Sequence, residues 1–288
     1  MLLAAPFVIL LIMFNYVPLF GWMFSFFDYK PGIPLSRTPF VGLKYFLMIM
    51  NERNDILRVL KNTFAMGFLG ILATPLPAIM AIMLNEVRIS KFKKLVQVTT
   101  TIPNFISWVI TYSFAFAIFS SEGMLNTLLN NIGISDTAAN LLSNGSAVWQ
   151  FQTLLGIWKT LGWSSIIYLA AITGIDGELY SAAKVDGAGR FRSMLHVTVP
   201  GLAPTFIVLL LLSISNILTI GFDQYFVFKN PAVMDKIEVI DLYVYRIGIV
   251  ENSYSFSIAV GILKSVFSIA LLLSANGIAK RLRGQPIF

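Results

Sequence analysis

Hydrophobic positions along this chain gather into long runs separated by polar connections. The first, residues 2–27, carries no charge and is interrupted only by Pro6, Asn15 and Pro18, which is long enough to cross a hydrocarbon layer of about 30 Å with some tilt. Further apolar windows follow at 62–84, 96–119, 149–172, 202–222 and 254–279, the fourth diluted by Gln150, Gln152 and Lys159. The pattern predicts an all-α polytopic membrane protein, one domain over 1–288, with six transmembrane helices. A cleavable signal peptide would need a basic start, a shorter apolar core and a small-residue cleavage site, and the opening Met-Leu-Leu-Ala carries no basic residue.

Six spans put both termini on one side and divide the loops into two sets. Residues 85–95, 173–200 and the tail from Lys280 hold ten Lys and Arg in 48 residues, whereas 28–61, 120–148 and 223–253 hold nine in 94. The first set, with both termini, is therefore assigned to the cytoplasm by the excess of bases on cytoplasmic loops. The formal charge of +7 is mostly this asymmetry. The first set carries ten bases and four acids and the second nine bases and ten acids, leaving Lys159 and Lys264 inside spans. Bases spread over several loops do not make the single patch a nucleic-acid binder needs.

Composition excludes most chemistry. With 57% hydrophobic residues and 12% charged, against about 25% charged in a typical soluble domain, the chain cannot clothe a water-soluble fold. It has no cysteine and one histidine, His196, which removes thiol nucleophiles, disulfides, cysteine-ligated clusters and paired-histidine metal sites. No HExxH, GxSxG or GxxxxGK[ST] motif occurs, so metalloprotease, hydrolase and self-contained ATPase readings lack their motifs, and neither catalytic nor metal-binding residues are expected. Any energy source must be a gradient or another polypeptide. A secondary transporter is the alternative, but all 14 acidic residues lie in loops or at span ends, leaving ion coupling without an intramembrane carboxylate.

The spans contain breaks and polar faces. Pro75 and Pro77 fall in span two and Pro103 in span three, and each removes a backbone hydrogen bond, so kinks are expected. Spacing places Asn104, Ser107, Trp108 and Thr111 on one face of span three, and Gly156, Lys159, Thr160 and Trp163 together in span four. Ser257, Gly261, Lys264, Ser265 and Ser268 form a similar face in span six. Small and hydroxyl residues commonly mediate helix packing. The two lysines are different, because a lysine at a helix centre costs about 2.5–3.5 kcal/mol and ordinarily faces a cavity or a partner; snorkelling to the outer interface is the alternative. The candidate pathway residues are Asn104, Ser107, Trp108, Lys159, Trp163, Asn216 and Lys264.

In the connection at 173–200, Asp176 can cap a short helix whose Leu179, Ala182 and Ala183 share a face, and Gly187 can end it in a left-handed turn. A second amphipathic turn follows at Phe191, Met194 and Leu195, and Pro200 is expected to restart the chain at the membrane. Two short helices on a cytoplasmic loop make a docking surface for another protein.

Here the chain resembles the permease subunits of bacterial type I ATP-binding-cassette importers. Their signature is Glu-Ala-Ala, three residues, Gly, nine residues, Ile-x-Leu-Pro; this chain has Ser181-Ala182-Ala183, Gly187 and Val197-Thr198-Val199-Pro200 at that spacing. Ser181 replaces the glutamate, and the ion pair that residue makes is not expected here. Glu178-Leu179-Tyr180 and Asp186-Gly187-Ala188 are similar to the carbohydrate branch. A narrower resemblance, to LplB-type permeases for fragments of complex and acidic polysaccharides, runs through Asn15-Tyr16-Val17-Pro18, Leu84-Asn85-Glu86 and Pro103-Asn104-Phe105-Ile106-Ser107-Trp108-Val109. It continues in Trp158-Lys159, Gly162-Trp163, Phe222-Asp223-Gln224, Asn230-Pro231-Ala232-Val233 and Asp241-Leu242-Tyr243-Val244-Tyr245-Arg246. Members usually carry a basic segment before span one, whereas Met1 here stands at the membrane edge, which implies a truncated chain or a misplaced start.

The resemblance implies a multi-pass protein of the bacterial cytoplasmic membrane that is not itself an enzyme. Its partners would be a second permease in a heterodimer, two ATPase subunits that bind ATP and magnesium, an extracytoplasmic solute-binding protein and membrane lipid; this chain would bind no cofactor. The segment with Glu178, Ser181, Ala182, Ala183, Asp186, Gly187, Ala188 and Pro200 would be the coupling helix docked on an ATPase. A saccharide is the implied substrate; a permease for a non-sugar solute is the other reading within the family. Aromatic faces such as Trp108, Trp158 and Trp163 suit sugar rings, and Lys159 and Lys264 would suit a uronate carboxylate as point charges.

Overall fold

Prolines decide where the long apolar runs bend. The computed structural model describes residues 5–133 and 140–283, so residues 2–4 of the expected first span, the stretch 134–139 and the end of the tail lie outside the described residues. Six helical stretches there are long and apolar enough to cross a membrane: Ala5–Phe26, Arg53–Glu86, Trp108–Asn131, Val148–Thr173, Arg190–Ser215 and Tyr254–Arg281. They are called spans one to six, span three being taken together with the helix Ser90–Thr101 that leads into it.

Spans one and five meet their prolines in the same way. In span one a π turn covers Ile12–Tyr16 and Val17, just before Pro18, donates its N–H to the Ile12 carbonyl five residues back. In span five a π turn covers Met194–Thr198 and Val199, just before Pro200, donates to Met194. The wider turn makes room for a ring that would otherwise press on the preceding turn and for the missing N–H. Pro200 therefore does not restart the chain as expected. The helix enters at Arg190, passes through Pro200 and ends at Ser215, so the expected window 202–222 is displaced toward the N-terminus.

Span two kinks as expected, at the junction of Arg53–Leu72 and Pro75–Glu86. Pro75 stands in the first turn of the second half, where no intrahelical donor is required. Span three departs most from the expected helix at 96–119. The chain forms one helix at Ser90–Thr101, a 3-10 turn at Ile102–Phe105, and a second helix that begins at Trp108. Asn104, Ser107, Trp108 and Thr111 consequently do not share one continuous helix face. Asn104 lies in the 3-10 turn, and Ser107 is the N-cap of the next helix, its Oγ accepting from the Ile110 N–H at 3.3 Å.

The second half of span two lies on span four, span five on span six, and the Ser90–Thr101 helix on span four. Gly162 sets that last approach: a Cβ there would stand 2.3 Å from the Thr100 carbonyl carbon. The connection at 222–253 is a folded cap, built from the helices Phe222–Phe228, Met234–Ile237 and Ile240–Tyr245. Its Tyr225, Phe228, Val233, Ile237 and Leu242 share a core with Leu142 and Val148. Ile240 and Tyr243 join a second core with Tyr45, Val59 and Phe256. Glu238 is fully buried in the cap and is held by Arg58 at 2.9 Å and Arg246 at 2.6 Å. The cap lies at the end of the bundle away from the 173–200 connection, and is called the distal end.

Candidate functional site

Spans two, four and five line an open cavity of about 650 Å³ that reaches the start of the cap at Gly221, Gln224 and Tyr225. Small residues open it. Gly67 and Gly70 thin the wall of span two, where a Cβ on Gly67 would lie 2.3 Å from Ile217 Cγ1, and Gly156 does the same for span four. Its polar groups include the amides of Gln152, Asn216 and Gln224 and the hydroxyls of Thr74, Thr153, Thr160, Ser164 and Ser213. The Gln224 amide donates to both the backbone and the side-chain oxygen of Gln152 at 2.8 Å, which fixes the two buried amides. Trp108 and Tyr225 supply aromatic surface. No Asp, Glu, Lys or Arg is among the lining residues, so the cavity offers hydrogen bonds and ring faces without a fixed charge.

Of the expected pathway residues, Trp108 and Asn216 line this cavity. Span four divides: Gly156 and Thr160 face it, whereas Lys159 and Trp163 are not among its lining. Lys159 is buried, and its ammonium donates to the carbonyls of Pro103 at 3.0 Å, Asn104 at 3.4 Å and Ile106, with the Trp108 ring centroid 5.1 Å away. Trp163 packs edge-on against Phe105 at 5.6 Å. Ser107 caps its helix, and Lys264 is paired with Asp241 of the cap. Both intramembrane lysines thus have partners within the chain. In the sequence Gln152 is only a diluting residue of span four and Gln224 only part of a motif. The signal for Gln152 was its spacing, four before Gly156 and eight before Thr160 on the same helix face; nothing in the sequence paired it with Gln224.

At the opposite end, the helix Gly177–Val185 starts with the Asp176 carboxylate accepting from the Glu178 N–H at 2.9 Å. It ends in a left-handed Gly187, φ +74°, with the Ala188 N–H on the Ala183 carbonyl at 2.8 Å and the Gly187 N–H on Lys184 at 3.1 Å, the bond pattern of a glycine-terminated helix. Glu178, Ser181, Ala182, Asp186, Gly187 and Pro200 are exposed and Ala183 and Ala188 half-buried. Leu179, Val185 and Phe191 present apolar surface beside them. Ser181 donates to its own helix at Gly177, 3.2 Å away. Arg190 ties the segment to the end of span two, reaching the Glu86 carboxylate at 2.8 Å and its backbone carbonyl at 2.5 Å.

Residues 73–284 match the family described as binding-protein-dependent transport system inner membrane component. The chain belongs to this permease family. The permease is 38% identical over 289 residues to the polygalacturonan/rhamnogalacturonan transport system permease protein YteP of Bacillus subtilis (strain 168), a match covering 100% of this chain and 89% of that protein. It is 38% identical to protein LplB of the same organism, covering 100% and 90%. A crystal structure of a bacterial ABC transporter involved in the import of the acidic polysaccharide alginate contains a chain that superposes with a TM-score of 0.88 at 31% identity, over 96% of this permease and 93% of that chain. A crystal structure of a bacterial alginate ABC transporter in complex with alginate pentasaccharide-bound periplasmic protein also contains a matching chain, with a TM-score of 0.88 at 31% identity over 99% of this permease and 95% of that chain. The permease is therefore a multi-pass component of a cytoplasmic-membrane ABC importer, and ATP hydrolysis belongs to separate subunits.

Proposed function

We propose that this permease forms the membrane passage for an oligosaccharide released from a complex, acidic polysaccharide. The observation that carries the reading is the cavity between spans two, four and five, where amides and hydroxyls alternate with Trp108 and Tyr225 and no formal charge is present. Such a lining exchanges hydrogen bonds with sugar hydroxyls and offers ring faces to sugar C–H groups without holding any one residue tightly. The acidic character is inferred from the relatives, whose names carry polygalacturonan, rhamnogalacturonan and alginate.

The Gly177–Val185 helix with its exposed Leu179 and Val185 is the surface for an ATPase subunit, and Ser181 leaves that contact without a carboxylate at its position. The excess of bases in 85–95, 173–200 and the tail puts this end and both termini in the cytoplasm. The distal cap then faces the solute-binding protein. Two ATPase subunits, which hold ATP and magnesium, and a second, different permease complete the importer.

The test is the reconstituted importer with its binding protein, offered oligouronides and neutral oligosaccharides of equal length. Oligouronides should stimulate ATP hydrolysis and accumulate inside vesicles. Stimulation by neutral oligosaccharides alone would remove the acidic substrate, and stimulation only by a non-sugar solute would remove the saccharide reading.

A further inference from the structure

Span three is divided between two packed bodies, with Lys159 at the seam. Its first helix, Ser90–Thr101, lies on span four with no side chain between the backbones, since a Cβ on Gly162 would meet the Thr100 carbonyl oxygen at 2.3 Å. Its second helix, from Trp108, packs on the distal cap: the Trp108 and Tyr112 rings stand edge-on to Phe228 at 6.5 and 5.1 Å. The non-α crossing between them leaves the Asn104 and Ile106 carbonyls without helical donors, while the Pro103 carbonyl keeps one, the Ile106 N–H at 3.2 Å. Within a bilayer such groups cost several kcal/mol each unless something donates to them.

Lys159 is that donor. It stands eleven residues into the 26-residue helix Val148–Thr173, roughly 16 Å along its axis at about 1.5 Å per residue, a depth at which an unpartnered ammonium is itself costly. Its amino group reaches Pro103, Asn104 and Ile106, so three donors meet three carbonyls. No carboxylate pairs with Lys159 among the described residues. The ammonium rotates freely and has no preferred plane, so it can follow its acceptors through a change of angle.

We propose that Lys159 is a positioning residue for transport: it pins the crossing of span three to span four, so that Ser90–Thr101 moves with span four while the helix from Trp108 moves with the distal cap. Trp108 lines the cavity, and a bend at the pinned crossing moves this ring without exposing backbone to lipid. Transport by rigid bodies needs a site where one body ends and the other begins.

The chain has no cysteine, so in a complete importer whose partner subunits are made cysteine-free, spin-label pairs can be placed at Val98→Cys with Ala170→Cys and at Phe116→Cys with Ala170→Cys, all exposed positions. Between the nucleotide-free and ATP-trapped states, the first distance should hold and the second should shift. Lys159→Met should broaden the first distance and lower uptake by about tenfold, within the usual range of coupling free energies, for charged and neutral oligosaccharides alike. Lys159→Arg should restore part of the uptake. A wild-type first distance that shifts as far as the second overturns the proposal, and this measurement stands even if Lys159→Met fails to assemble. Unchanged uptake in Lys159→Met, or a loss confined to charged substrates, overturns it as well, the latter by making Lys159 a carboxylate ligand.

Discussion

The two ends of the bundle are built on opposite principles. At the distal end, residues 222–253 wrap a core of their own around Glu238, whose fully buried carboxylate holds Arg58 and Arg246, and Asn62 donates to the backbone carbonyls of Asp235 and Glu238 at 2.9 and 3.0 Å. At the other end, the Gly177–Val185 helix is mostly exposed and leaves Leu179 and Val185 uncovered, and the start of span five that follows it is tied to span two by Arg190 and Glu86, side chains 55% and 35% exposed. A buried ion pair is costly to break, whereas an exposed pair contributes about 0–1 kcal/mol. The distal end is a closed piece of structure; the other end leaves its apolar positions uncovered.

The largest effect should come from Glu238→Ala. It leaves two arginines facing each other without their shared carboxylate, and the permease in detergent should lose about 3 kcal/mol, at the low end for a broken buried pair because both guanidinium groups retain some solvent. A thermal-unfolding midpoint unchanged from wild type would show that the cap is no tighter than the opposite end. Gly187→Pro should leave that midpoint nearly in place and abolish substrate-stimulated ATP hydrolysis, because the left-handed turn at φ +74° is closed to proline, whose φ is fixed near −65°. The solute-binding protein's affinity should be untouched, and undiminished coupling in vesicles would remove the segment from the transmission path.

Arg190→Ala should change stability by less than about 1 kcal/mol while lowering the ratio of uptake to ATP hydrolysed several-fold, a modest loss of coupling free energy. The exchanged pair Glu86→Arg with Arg190→Glu should recover part of it. An unchanged ratio would mean that span two follows the segment by packing alone. The smallest effect belongs to Tyr45, whose phenol is pushed up to about 12 by burial and by the Asp28 carboxylate it donates to at 2.5 Å. The raised value means the native state keeps this proton after the unfolded chain has lost it. The associated stability is fully present below about pH 10 and is lost as pH rises toward 12. An ultraviolet titration of Tyr45→Phe should lack one late-ionising tyrosine; an identical titration would place Tyr45 among the ordinary ones.

Long runs of apolar residues were enough to locate spans one, four and six to within a few residues, because a bilayer demands length and hydrophobicity wherever the neighbours lie. The 173–200 segment was legible for a local reason: Asp176, Ala182, Ala183 and Gly187 act within one short helix and its cap. The break in span three is not legible in the sequence, because Pro103 inside an apolar window is compatible with a kinked continuous helix as well as with a break. The donor that makes the break tolerable, Lys159, is 56 residues away from it. The cap looks like a loop in the sequence, because its apolar positions meet partners such as Val59 and Leu142 that lie far away in the chain.

What the sequence determined by itself was the number of crossings, the two sets of connections and the capped helix with its family signature. These rest on hydrophobic length, charge and local hydrogen bonding, all short-range along the chain. Only the tertiary structure decided what the polar residues inside the membrane do. Lys159 and Lys264 are open charges in the sequence; in the fold the first donates to backbone carbonyls and the second pairs with Asp241, while Gln152 and Gln224 come together across 72 residues to line the cavity. A buried polar group takes the nearest group that satisfies it, and which group is nearest is a property of packing.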